Sequence, residues 1–295
     1  MKVKPSHQKP WDWRASVQFI CGGTGTGLLL FTTVAALQET NWLQRTGYLA
    51  LVFLGIGLLS VWVKLGRRWR AMFVILHPRT SWMSREALLA LPLFVLTGVG
   101  VFFTWPVLVM VAAVLGIGFL FAQAKMLEAA RGIPAWRTPL MVPLIVVTGL
   151  VEGGSIFVMA TAVFHTVGLW LPITLFVLLA LRLGVWQTYY KTLAAPGGAP
   201  IGTVTALADI RNTIIWIGHV VPLLLLVVGL VVPEETAVFG ALAGVAAIFG
   251  GWTMKFTIIA RAAFNQGFAL KHTPARTPGY GGGGTKPGWN SGENY

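Results

Sequence analysis

Cysteine and charge are what this sequence has least of. Its one cysteine, Cys21, sits inside an apolar run. A lone thiol makes no intrachain disulfide, iron–sulfur site or structural zinc site, so any such centre has to belong to another chain. Only 11% of the residues are charged, against about 25% in a soluble globular domain, while 56% are apolar and mean hydropathy is +0.74. Hydrolase signatures are missing too: there is no HExxH, no GxSxG and no acid pair of the intramembrane aspartyl-protease kind. The basic start MKVKPSHQKPWDW has no apolar core before Trp11. It is therefore not expected to be a signal peptide, and the first apolar run is expected to stay in the protein.

What is present is a series of long, nearly charge-free apolar runs, the mark of an integral helical membrane protein. Eight spans are expected, at about 14–37, 46–64, 86–104, 107–124, 140–164, 169–186, 213–231 and 237–260. The longest polar interruption runs from Lys64 to Leu91, and a second long loop is expected at 187–212. Eight spans place all of the 22 Lys and Arg residues except Arg45 on one side. Positive-inside sorting then puts both termini in the cytoplasm of a bacterial or archaeal inner membrane. The net charge of +13 lies in the gaps between spans, so nucleic acid is not an expected partner; membrane lipid is. Trp residues near the span ends read as the usual aromatic belt.

The expected organisation is a cytoplasmic arm (1–13), a first four-helix half (14–124), a cytoplasmic loop (125–138), a second four-helix half (139–260) and a Gly-rich cytoplasmic tail (261–295). A faint echo between the halves hints at an old duplication, with GGTGTGLLLFTTVAAL in span one and GGSIFVMATAVF in span five. The fold class is an all-α integral membrane protein, expected as two four-helix bundles.

Few residues carry candidate chemistry. The glycines Gly22, Gly23, Gly25 and Gly27 lie in an apolar helix with no strand before them, so a nucleotide loop is excluded. They read as a close helix–helix contact or as a flat wall for a planar ligand. Glu152, near the middle of span five, is either a hydrogen-bonded structural acid or part of an intramembrane proton relay with His219. Glu86 is expected in the first turn of span three. There it is either a dipole-stabilised acid or an interfacial carboxylate that takes protons from a quinol, with Lys64, Arg67 and Arg85 nearby. Of the histidines, only His165 and His219 fall near or within spans, at unmatched depths, so an intrinsic haem is not expected.

Three pieces, in this order and spacing, carry a resemblance: FICGGTGTGL in span one, LGRRWRAMFVILHPRTSWMSREAL after span two, and GIPAWRTPL before span five. Together they resemble the membrane-anchor subunit of dimethyl sulfoxide reductase, within the polysulfide-reductase/NrfD group. GIPAWRTP and the KPGW of the tail look most like anchors of phenylacetyl-CoA:acceptor oxidoreductases and cytoplasm-facing sulfite dehydrogenases. The resemblance covers roughly the first 165 residues. It implies a three-subunit oxidoreductase in which a molybdopterin catalytic subunit and a four-cluster iron–sulfur subunit sit on the cytoplasmic face of this anchor. The anchor would exchange electrons with ubiquinone or menaquinone and hold no haem or iron–sulfur cluster itself. It also implies that the family's quinol-site glutamate falls at Glu86, whereas a family histidine at the end of span two is replaced by Lys64. Arg68, Arg70, Arg79, Arg131, Trp136 and Arg137 are the expected docking residues. A small-solute or ion transporter with an internal repeat is the competing reading, with Glu152 and the glycines lining its path.

Overall fold

The computed structural model describes residues 2–164 and 168–269. His165 and the tail from residue 270, including His272 and the KPGW piece, lie outside the described residues. Among the described residues, eight helices are long and apolar enough to cross a membrane. They are α1 (Trp13–Ala36), α2 (Trp42–Lys64), α3 (Trp82–Phe102), α4 (Pro106–Glu128), α5 (Met141–Val163), α6 (Trp170–Ala194), α7 (Ile201–Val231) and α8 (Pro233–Arg261). The chain is thus an all-α, multi-pass membrane protein.

Local chemistry sets several helix starts. The Asp12 carboxylate accepts from the Arg14 backbone N–H at the head of α1, and the Ser81 hydroxyl accepts from the Ser84 N–H at the head of α3. Pro106 occupies the first turn of α4, where its missing N–H costs nothing. The two ends of the described chain meet: Lys2–Val3 pairs antiparallel with Phe268–Ala269, and Ser6 and Asn265 hydrogen-bond reciprocally. The two ends of the described chain therefore lie at the same end of the bundle, as an even number of spans requires.

The helices α1 and α5 form the centre. Buried residues make up 78% and 72% of their most apolar windows, against 50% or less for the other six. Each packs on the other and on α4 and α8, and they also contact α2 and α6 respectively. Glycine permits this approach: a Cβ on Gly27 would overlap the Gly149 carbonyl, and one on Gly153 would overlap the backbone at Gly27 and Leu28. The glycine run of α1 is therefore filled by protein. Gly25 abuts Leu54 of α2 and Gly23 faces Gly149. The outer helices turn apolar side chains outward, among them Val52, Leu59, Val114 and Val177, as a lipid-facing surface does.

The expected loop at 187–212 is mostly helix. α6 continues to Ala194 and α7 begins at Ile201, leaving only 195–200 as the connection. All the Pro and all but one Gly of 187–212 fall in the short APGGAP connection; Gly202 lies in the first turn of α7. In the polar-looking segment that follows, Thr203, Leu207, Ile210 and Ile214 recur at helical spacing and are buried. The Thr203 hydroxyl donates to the Ala262 carbonyl, and the Tyr189 hydroxyl donates to the Ala135 carbonyl. Both helix extensions are thereby fastened to their neighbours.

Candidate functional site

Two polar assemblies stand out. The first lies at the arginine-rich end. Because Ser81 caps α3, Glu86 sits in the second turn and not in the first as expected, so the helix dipole is a weaker influence on it. Its side chain turns inward and is buried between α1 and α4. Glu86 Oε1 accepts from Gln18 Nε2 at 2.7 Å and from Gln123 Nε2 at 3.0 Å. Gly22 makes room for this arrangement, since a Cβ there would stand 2.6 Å from Gln123 Nε2. Gln123 Oε1 is buried with no hydrogen-bond partner among the described residues.

The basic residues expected beside Glu86 are held elsewhere. Arg85 lies over the Trp82 ring at 4.1 Å and donates to the Pro78 and Arg79 carbonyls, closing the turn before α3. The Lys64 ammonium lies over the Trp11 ring at 5.2 Å. Lys64, Arg67 and Arg70 line an open groove together with Arg14, which pairs with Asp12 at 2.7 Å. Among the described residues, no hydrogen bond or ion pair joins Glu86 to Lys64, Arg67 or Arg85.

Of the expected docking residues, Arg70, Arg79, Arg131 and Arg137 are exposed. Arg68 begins a nine-residue 3₁₀ segment, Arg68–Leu76. Arg137 donates to Gln266 Oε1 at 2.6 Å, tying the loop before α5 to the end of the described chain. Trp136 is fully buried: its ring packs at a tilt against Trp11 and its indole N–H donates to the Ile258 carbonyl. Its ring fastens the loop to the bundle and offers no surface to a partner.

The second assembly lies within the spans. Glu152 Oε2, at the middle of α5, pairs with Lys255 Nζ of α8 at 2.6 Å and accepts from the Thr24 hydroxyl of α1 at 2.9 Å. Lys255 also donates to the Phe19 carbonyl, and the Trp252 indole donates to Thr24. Beside this group is Arg182, at the middle of α6 and fully buried. It donates through Nε to His219 Nε2 at 3.0 Å, through Nη1 to the Ala247 carbonyl and through Nη2 to the Gly218 carbonyl.

The local sequence explains the last bond. Pro222 has no N–H to offer the carbonyl four residues earlier, Gly218, and a π-turn at Trp216–Val220 loosens the helix there. Arg182 supplies the missing donor. His219 Nδ1 lies 2.7 Å from the Ile214 carbonyl, an acceptor, so the ring is the Nδ1–H tautomer and Nε2 is free to accept from Arg182. Glu152 Oε1 has no hydrogen-bond partner among the described residues. It lies at most about 6 Å from Arg182 Nη1, since both lie within about 3 Å of where a Cβ on Gly251 would stand.

Glu152 and His219 were both legible as candidates, but Arg182 and Lys255 were not. By sequence those two cations belong with the basic loops and span ends. In the structure each is inside the bundle and partnered. The signal that would have found them is a lone cation within an apolar helical window, facing the one acid of another such window. Among the described residues, no three His, Cys, Asp or Glu side chains are grouped as a metal site requires. Compared with known proteins, the chain matches no family model and no curated sequence.

Proposed function

We propose that this chain is the membrane anchor and quinone-reactive subunit of a molybdenum/iron–sulfur oxidoreductase of the dimethyl sulfoxide reductase anchor type. It would pass electrons between the quinone pool and an iron–sulfur subunit docked on its basic face. The observation that carries the reading is Glu86: a carboxylate at the arginine-rich end of the bundle, buried and gripped by the amides of Gln18 and Gln123. The residues fit a quinol head group, because Gln123 Oε1 is a buried acceptor lacking a donor directly beside that carboxylate.

In this proposal Glu86 would take up one of the two protons released on quinol oxidation, the other leaving to water at the interface, and would return one on reduction. A quinol held there would supply two electrons, which would pass to the clusters of the partner. Gln18 and Gln123 hold the carboxylate in one orientation, and Gly22 keeps space for the Gln123 amide. Arg79, Arg131 and Arg137 form the charged surface for a partner that carries the clusters and the molybdopterin. The sorting of the basic residues that lie in loops and at span ends, Arg182 and Lys255 being inside the bundle, supports placing that surface and both termini in the cytoplasm.

A second reading, a small-solute or ion transporter, is favoured by the charged assembly at mid-span: Glu152, Lys255, Arg182 and His219. Purification of the native protein in a mild detergent separates the two. The anchor reading expects a stoichiometric partner with iron–sulfur absorbance. A chain that purifies alone, stable and active in solute flux, would overturn it.

A further inference from the structure

The groove at the end of α2 is not used by the Glu86 site. It is an open depression of about 750 Å³ lined by Arg14, Lys64, Arg67 and Arg70, with Val63 and Trp69 on its apolar side. Arg14 is paired with Asp12, but no carboxylate among the described residues pairs with Lys64, Arg67 or Arg70. Among the described residues Asp12 is the one carboxylate that acts on this group, through its pair with Arg14 and across space on Lys64, so four cations share one acid and the groove carries a net excess of positive charge.

Next to it the Arg68–Leu76 segment leaves Trp69, Met72, Phe73 and Leu76 exposed, Trp69 to 85%. Large apolar side chains left uncovered together on one short segment mark an interaction surface. Here it adjoins a span end, where the polar region of a bilayer meets its hydrocarbon. Cations beside aromatic and aliphatic side chains at that depth match one chemistry: a phosphate head group with acyl chains attached.

We propose that this groove is a binding site for an anionic phospholipid, whose phosphate is held by Lys64, Arg67 and Arg70. Its acyl chains lie against Val63 of α2, and Trp69, Met72 and Phe73 sink into the surrounding interface. The site anchors the segment that leads into α3. It stands whether or not the quinone reading does, because no residue of the Glu86 cluster takes part.

The test uses the full chain with any co-purifying subunits, delipidated and offered equal amounts of dioleoylphosphatidylglycerol and dioleoylphosphatidylcholine. Retained lipid is counted by native mass spectrometry. The wild type is expected to keep the phosphatidylglycerol preferentially. Each cation near an anionic head group contributes about fivefold, so the R67Q/R70Q double variant should lose on the order of 20-fold of that preference. Arg131→Gln, on a different loop, should change it less than about twofold. The charge-keeping pair R67K/R70K should retain most of it, which separates loss of charge from loss of fold.

Equal retention of the two lipids, or an unchanged preference in R67Q/R70Q, would overturn the proposal. Millimolar glycerol 3-phosphate should not displace the lipid; displacement would mean a site for a free phosphate ester. Lipid present on the isolated chain but absent from an assembled complex would mean that an acidic partner occupies the groove, and would also count against it.

Discussion

Neutralising Glu152 is expected to cost more than neutralising Lys255, although the two form one ion pair. Their charged atoms are 2.6 Å apart and both side chains are fully buried. Removing one partner of such a pair strands the other and costs roughly 3–5 kcal/mol. Arg182 makes the two losses unequal. With Lys255 replaced by Met, the carboxylate keeps the Thr24 hydroxyl and the nearby guanidinium. With Glu152 replaced by Gln, two cations remain inside the bundle with only carbonyls and the His219 nitrogen around them. Lys255→Met should therefore cost about 3 kcal/mol and Glu152→Gln about 5 kcal/mol. The double variant removes both charges and should cost less than the sum by roughly 2–3 kcal/mol. Reversible unfolding in bicelles, followed by tryptophan fluorescence, measures all three. Single variants within about 1 kcal/mol of wild type, a reversed order or a strictly additive double variant would refute the pairing.

Other substitutions probe separate parts of the structure. Gly153→Ala drives a Cβ into the Gly27 backbone and should cost at least about 1–3 kcal/mol, whereas Gly98→Ala meets nothing within 4 Å and should stay within about 1 kcal/mol of wild type; thermal midpoints in detergent compare them. His219→Phe leaves Arg182 Nε without its acceptor and should cost about 1–3 kcal/mol, and His219→Gln, which restores an acceptor, should recover part of it. Asp12 lies outside the spans, and its hydrogen bond from Arg14 holds the carboxyl below its ordinary 3.8. A depressed value means that its stabilisation is complete above that pH and is lost as pH falls through the folded value. Asp12→Asn should therefore flatten the acid limb of a stability–pH profile below its ordinary 3.8.

The membrane class and the number of spans were legible because each apolar run is long enough to cross a bilayer and carries too few charges for a helix with one face in water. The start of α7 was not, because Asp209, Arg211 and Asn212 on one face disguise the buried period of Thr203, Leu207, Ile210 and Ile214. Glu86 and Glu152 were readable as lone acids in apolar surroundings. Their partners were not. Gln18 and Gln123 are uncharged and come from other helices, 68 and 37 residues away from Glu86. Arg182 and Lys255 looked like span-end cations once span six was closed at Trp186. Glycine packing was readable in kind, but that Gly22 serves Gln123 while Gly27 serves Gly149 depends on helix register, which the sequence pattern does not set. Trp136 looked like an interface residue and is a buried fastener, because its indole finds the Ile258 carbonyl across a sequence separation of 122.

The most direct measurement is quinol-driven reduction of the partner's iron–sulfur clusters in the purified native complex, compared between wild type and Glu86→Gln. The variant keeps the size of the side chain and an acceptor oxygen for the glutamine amides, but it cannot exchange a proton. Loss of a positioned acid or base typically costs about 10²–10⁴ in rate, so reduction should slow by at least on the order of 100-fold while the complex remains assembled. An unchanged rate, or no cluster-bearing partner to reduce, would contradict a quinone site at Glu86.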